Sequence, residues 1–255
     1  MTSPPGDTVV VIDGRFNGPP DSANGGYAAG TVCRTMTGPA EVTLRRPPPL
    51  DTPLHWQVSG AGPDAEAVLL SPSGDGAPLA EARPADGAAL RALVPPIMPT
   101  EKEATAAEAR HVARGIRHWL SDCVVCGPER ADGFRLSTGP LDGRSDVGAA
   151  VFRPNETLAT PDGFYPEEVL WAALDCPGFV PEMWQRYLES GTPYLLGRLS
   201  VALERPVSCR EMLIAVGWLL RRDGRKDHTA AALLTPSGEL VGRSQAVWVR
   251  LRDPK

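Results

Sequence analysis

The chain lacks any apolar run near the ~20 residues that a bilayer-spanning helix needs, so no membrane partner is expected. Met1–Asp7 has no basic region leading into a long apolar core, which argues against a secretory leader. Basic residues are not in excess. Lys and Arg number 26 against 31 Asp and Glu, a net charge of -5, and nucleic acid is not expected as a partner. Five cysteines in 255 residues are too few for a disulfide scaffold, and reduced thiols in a cytoplasmic protein are the simpler reading. Cys123 and Cys126 have the spacing of half a zinc site, but a second Cys-x-x-Cys pair is missing. His111, His118 and Cys176 would have to converge on them. A packed turn is therefore the preferred reading, and no metal or cofactor is expected.

What is present is ordinary for a globular protein: 42% hydrophobic and 22% charged residues. The length suits two domains of roughly 100–150 residues or one large body. Val9–Ile12 is a short β-branched run. After it, Ser22 or Asn24 can cap a helix of small residues that begins Gly25-Gly26-Tyr27. Strands are expected around Val42–Leu44, Leu54–Val58, Ala67–Leu70 and Leu79–Ala82, and Ala85–Pro99 reads as a connector. Thr100 and Glu103 form a capping box, and Ala109, Val112, Ala113, Ile116, Trp119 and Leu120 recur behind it at helical spacing. Strands are expected again near Phe134–Ser137 and Val147–Phe152, then helices over Pro166–Leu174 and Pro181–Leu188. The chain closes with strands over Tyr194–Leu203, Met212–Arg221, Thr229–Leu234 and Leu240–Leu251, the middle pair joined at Asp223-Gly224.

The second half repeats the first. Val42-Thr43-Leu44-Arg45-Arg46-Pro47 matches Val201-Ala202-Leu203-Glu204-Arg205-Pro206 at an offset of 159 residues. Leu69-Leu70-Ser71-Pro72-Ser73-Gly74 matches Leu233-Leu234-Thr235-Pro236-Ser237-Gly238 at 164. Each half then reads as a strand, a helix and about four antiparallel strands. The chain divides into an N-terminal half (1–99), a connecting helix (100–122) and a C-terminal half (123–255). A curled sheet can bury one apolar helix, and two such sheets can meet edge to edge.

Three segments resemble the double-hotdog acyl-CoA thioesterases of the thioesterase II type. Asn24-Gly25-Gly26-Tyr27 is similar to the Gly-Gly opening of the hotdog central helix, with Asn24 where a His often stands. Cys123-Val124-Val125-Cys126-Gly127-Pro128 with Gly133-Phe134-Arg135-Leu136 resembles the opening of other hotdog chains. Trp171-Ala172-Ala173-Leu174-Asp175 and Glu204-Arg205-Pro206 resemble the second half of the type. The resemblance implies an α+β double hotdog: two curled antiparallel sheets, each wrapped around a central helix. It also implies an acyl-CoA or related thioester as partner and one site between the halves. There an amide at one helix N-terminus polarises the thioester carbonyl and an acid on the other helix activates water. In this chain those residues are Gly26 and Asp175, with Gln245, at a local spacing one residue short, helping to hold the water and Asn24, Gly25 and Tyr27 around the substrate. A homo-oligomer is compatible with this reading.

Plainer roles stand beside these. Gly25-Gly26 can mark close helix packing, Asp175 can be a helix-end residue, and Gln245 a sheet hydrogen-bonder. An acid at a helix C-terminus is disfavoured by the dipole, and that favours a purpose for Asp175. Cys176 reads as a small buried thiol, and Trp184 with Tyr187 as packing residues. The run Arg221-Arg222-Asp223-Gly224-Arg225-Lys226 suits coenzyme A phosphates or a solvated hairpin tip equally. The main alternative to hydrolysis is a non-catalytic hotdog that binds acyl or CoA groups. A hydratase ranks last, for want of its Asp and His pair.

Overall fold

In the computed structural model, which describes residues 8–60, 62–72, 76–111 and 115–252, one order of elements occurs twice along the chain. The first half runs β1 (Thr8–Val10), α1 (Gly25–Val32), β2 (Ala40–Leu44), β3 (Leu54–Ser59), β4 (Glu66–Leu70) and β5 (Pro78–Pro84). Two short helices follow, α2 (Gly87–Arg91) and α3 (Glu101–Ala109). The second half runs β6 (Gly139–Leu141), β7 (Arg144–Phe152), α4 (Glu167–Asp175) and α5 (Pro181–Ser190), then β8 (Tyr194–Leu203), β9 (Leu213–Asp223), β10 (Lys226–Leu234) and β11 (Leu240–Arg250). Among the described residues no helix is long and apolar enough to cross a membrane.

The strands form one eleven-stranded sheet in the order β1-β3-β4-β5-β2-β8-β11-β10-β9-β7-β6, so the two curled sheets expected to meet edge to edge are continuous as one. The reason lies at the middle, where β2 and β8 pair antiparallel from Ala40↔Val201 to Thr43↔Arg198. Left apart, each half would expose a row of unpaired backbone groups, and pairing satisfies both rows at once. Outward from this seam the ranks match: β5, β4 and β3 on one side answer β11, β10 and β9 on the other. Val42 and Val201 sit on the two seam strands, and Leu69 and Leu233 hold equal ranks on β4 and β10. Ser73 and Gly74 of the repeated turn lie outside the described residues.

The two central helices lie on one face of the sheet and against each other. Asn24 caps α1, its side chain accepting the Tyr27 N–H. Val32 of α1, Leu170 and Leu174 of α4, and Leu199, Val201 and Leu233 of the sheet build a fully buried core. A second core on the opposite face packs Ala104 and Ala107 of α3 onto Val216, Trp218 and Ala230. At two glycines of α1 the helices of the two halves approach closely. A Cβ at Gly26 would lie 2.5 Å from Asp175 Cβ, and one at Gly30 would lie 2.5 Å from Glu168 Cα.

Four local expectations change. The helix after the Thr100–Glu103 capping box ends at Ala109, so Ile116, Trp119 and Leu120 are not on it; Val112 and Ala113 lie outside the described residues. Buried His111 instead bonds Thr138 O through Nδ1 at 3.0 Å, and Gly115 takes φ +74°. Phe134–Ser137 is not a strand, because Phe134 N and Leu136 N bond the carbonyls of Val124 and Val125 and Arg135 takes φ +57°. The strand starts at Gly139, and its hairpin turns on Asp142-Gly143, both left-handed, as a tight two-residue loop requires. The β9–β10 tip is Gly224-Arg225, since Asp223 itself pairs with Lys226. Within the connector, Asp86 caps α2.

An ordinary mid-helix glycine gains roughly 0.5–1 kcal/mol of stability on change to alanine. Gly30→Ala is expected to lose about 1–3 kcal/mol instead, because the new methyl meets α4 backbone. Urea unfolding decides the sign, and a raised midpoint for the variant would contradict the packing.

Candidate active site

The first turn of α1 leaves backbone N–H groups without helical acceptors. Tyr27 N is taken by the Asn24 side chain at 2.9 Å, and Gly26 N donates to Asp175 Oδ2 at 2.8 Å. Gly25 N has no acceptor among the described residues. Asp175 ends α4, so this contact joins the start of one half's helix to the end of the other's. The carboxyl is buried, and its Oδ1 makes no hydrogen bond among the described residues. Burial pushes it up to about 7, against the pull of the Gly26 amide and the Asn24 side chain.

Asp175 and Gly26 therefore meet, but in direct contact rather than across a substrate, and the Gly26 amide is engaged. The Gly26 amide, expected to face a thioester carbonyl, is here bonded to the carboxylate. Gln245 is not brought to them. On β11 it is Ser244 that faces α4, its hydroxyl donating to Leu174 O at 2.7 Å. Strand side chains alternate, so Gln245 points to the far face. There its register partner Ser200 bonds Glu41 at 3.1 Å. The one-residue shortfall in spacing was the sequence signal for this. Tyr27 also turns away, stacking on Phe16 with ring centroids 3.8 Å apart. Burial pushes its phenol up to about 12.

Asp175, Asn24, Gly25 and Cys176 line a cavity of about 250 Å³. Leu44, Leu196 and Trp248 give it apolar walls. Arg45 and Arg46 also line it, but Arg45 Nε is held by Glu81 at 2.5 Å and Arg46 bonds Ala77 O at 2.8 Å. Trp119 and Leu120, assigned from the sequence to a helix, line it too. The basic run at 221–226 does not. Arg222 is held by Asp227 at 3.0 Å and by Glu182, and Arg221 lies 3.9 Å from Asp223.

The sequence treated Cys123 and Cys126 as a turn needing distant partners. In the fold, Cys176 reaches them, and the three sulfurs lie within 4.8 Å of one another. His111 and His118 pack instead against Trp184, with ring centroids at 5.2 and 4.7 Å. Nothing in the linear spacing placed Cys176 there, because the end of α4 is carried in by tertiary packing.

The mirror position, where the end of α1 meets the start of α4, is built differently. Cys33 stands in place of the acid, its thiol pushed up by burial, and Arg34 pairs with Glu168 at 2.8 Å. The amide and the acid thus meet at one of the two helix junctions, and the pseudo-symmetric counterpart carries an ion pair.

No protein-family model and no curated protein matches this sequence. Solved structures do match in shape. The tesB protein of Mycobacterium avium subsp. paratuberculosis is 14% identical over 99% of this chain and 96% of its own, with a TM-score of 0.62. An acyl-CoA thioesterase II from Mycobacterium marinum is 14% identical over 91% of this chain and 90% of its own, with a TM-score of 0.57. A hot dog-fold protein from Alicyclobacillus acidocaldarius is 13% identical over 100% and 96%, with a TM-score of 0.61. At such identity the likeness speaks to architecture, and by that measure this chain is an α+β hotdog-fold protein, built along its whole length like the thioesterase II structures.

Proposed function

We propose that this chain hydrolyses acyl-CoA or closely related thioesters at the single composite site between its halves. The observation that carries the reading is the buried Asp175 carboxylate, fixed through Oδ2 by the Gly26 amide and left with Oδ1 unpaired beside the cavity. A carboxylate so held is oriented without being consumed, as a general base must be. Water bound at Oδ1 attacks the thioester carbonyl carbon as Asp175 takes its proton. The carbonyl oxygen becomes an oxyanion facing Gly25 N–H, the amide left free at the positive end of α1. Collapse of the tetrahedral intermediate breaks the C–S bond, and the proton on Asp175 passes to the leaving thiolate. Leu44, Leu196 and Trp248 suit an acyl chain.

Binding without turnover is the second reading, and one observation favours it: Gln245 faces away from Asp175, so no β11 amide helps to hold the water. A panel of acyl-CoAs assayed with a thiol reagent separates the two. Hydrolysis predicts thiol release with at least one chain length, and a loss of about 10²–10⁴-fold in kcat for Asp175→Asn. Wild-type activity in that variant would remove the mechanism. A CoA ester that raises the melting temperature without being cleaved would favour binding alone. Gln245→Ala is expected to leave kcat/KM within about twofold, and a larger fall would return Gln245 to the site.

A further inference from the structure

The three thiols beside the cavity are not used by the hydrolysis above, and their arrangement calls for a separate account. We propose that Cys123, Cys126 and Cys176 form a three-thiolate site for a thiophilic divalent cation, zinc fitting best, whose fourth coordination position faces the cavity.

Distance is the first ground. Zinc–sulfur bonds of about 2.3 Å in a tetrahedron place two sulfurs about 3.8 Å apart. Cys123 Sγ and Cys176 Sγ are 3.9 Å apart, and all three sulfurs fall within 4.8 Å. A disulfide would need the sulfurs at about 2.05 Å and would leave the third thiol out, whereas a cation engages all three.

The turn that carries two of the ligands is the second ground. Gly127 N closes Cys123-Val124-Val125-Cys126 by donating to Cys123 O at 2.8 Å. A Cβ at Gly127 would lie 2.4 Å from that oxygen, so the tight form of the turn needs glycine. The sulfurs also meet hydrogen-bond donors. Asn24 Nδ2 lies 3.5 Å from Cys176 Sγ and 3.9 Å from Cys123 Sγ. Donors aimed at sulfur suit thiolates and are superfluous for thiols kept only as small hydrophobes.

A third ground comes from outside the cluster. Three ligands leave one tetrahedral position open, the pattern of reactive rather than closed zinc sites. All three cysteines line the cavity, and Asp175, whose buried Oδ1 has no partner among the described residues, lines it beside them. A water or a ligand thiol at the open position would find an acceptor in Asp175. Soft thiolates select zinc over magnesium or calcium.

The decisive measurement uses the full chain, reduced, stripped with a chelator and titrated with Co²⁺ alone. Saturation is expected at about one equivalent. The bound ion should show thiolate-to-cobalt absorption in the near ultraviolet and the visible bands of tetrahedral coordination, both lost on adding Zn²⁺. Cys176→Ser should lower the thiolate band and weaken binding at least about tenfold, while Cys209→Ser leaves both unchanged. A reduced wild-type chain that gives no thiolate band overturns the site, as does a band undiminished in Cys176→Ser. A Cys123–Cys126 disulfide found by mass spectrometry in protein isolated without oxidant would also overturn it. Because the wild-type chain carries the main readout, a variant that fails to fold does not decide the matter. The outcome is also independent of thioester turnover.

Discussion

At Gly26 and Gly30 the backbone of α1 rests on α4 with no side chain between them, and most of what is distinctive in this molecule follows from that approach. The two glycines are one helical turn apart and so share a face. Their contact brings an amide at the start of one helix within bonding reach of a carboxylate at the end of the other. A side chain at either position would part the helices, and the amide would lose Asp175 before the core lost its apolar burial. The β2–β8 seam supplies the complementary restraint, fixing the two halves by backbone pairing so that the helices cannot slide. Helix contact and strand seam together make the site a property of the whole chain.

The polar groups gathered at this junction work against simple stability. A buried carboxyl with one free oxygen and three buried thiols occupy ground that a core would fill with aliphatic side chains. Burying an unsatisfied polar atom costs about 1–3 kcal/mol by mutational measures. The surrounding donors offset part of this: the Gly26 amide on Asp175, and the Asn24 side chain between the helix cap and the sulfurs. Asn24 thus serves three needs with one amide, capping α1 through its oxygen while its nitrogen faces both Cys176 and Cys123.

Much of the fold was legible because its signals are local. The Asn24 cap, the Thr100–Glu103 box, the Pro-led helix at 181 and the strand over Tyr194–Leu203 depend on residues within a turn or on strict alternation. Signals failed where tertiary bonds override periodicity: the helix ends at Ala109 although apolar spacing continues, and Phe134–Leu136 bonds a turn instead of a strand. In the site, Asp175 and Gly26 could be paired because each stands at a helix end. Gln245 could not be oriented, since on a strand a shift of one residue reverses the face and Ser244 takes the inner position. The convergence of Cys176 with Cys123 and Cys126, 53 residues from Cys123 in sequence, leaves no linear trace.

The ion pair of Arg34 with Glu168 at the mirror position has a consequence for how such a body can be assembled. Two copies of the first half, joined across the same seam, would set Cys33 opposite each glycine pair. Two copies of the second would set Asp175 opposite Glu168, carboxylate against carboxylate. Only one of each yields an amide facing an acid. Tethering the halves in a single polypeptide therefore does more than raise their local concentration: it presents one of each and so favours the unlike pairing.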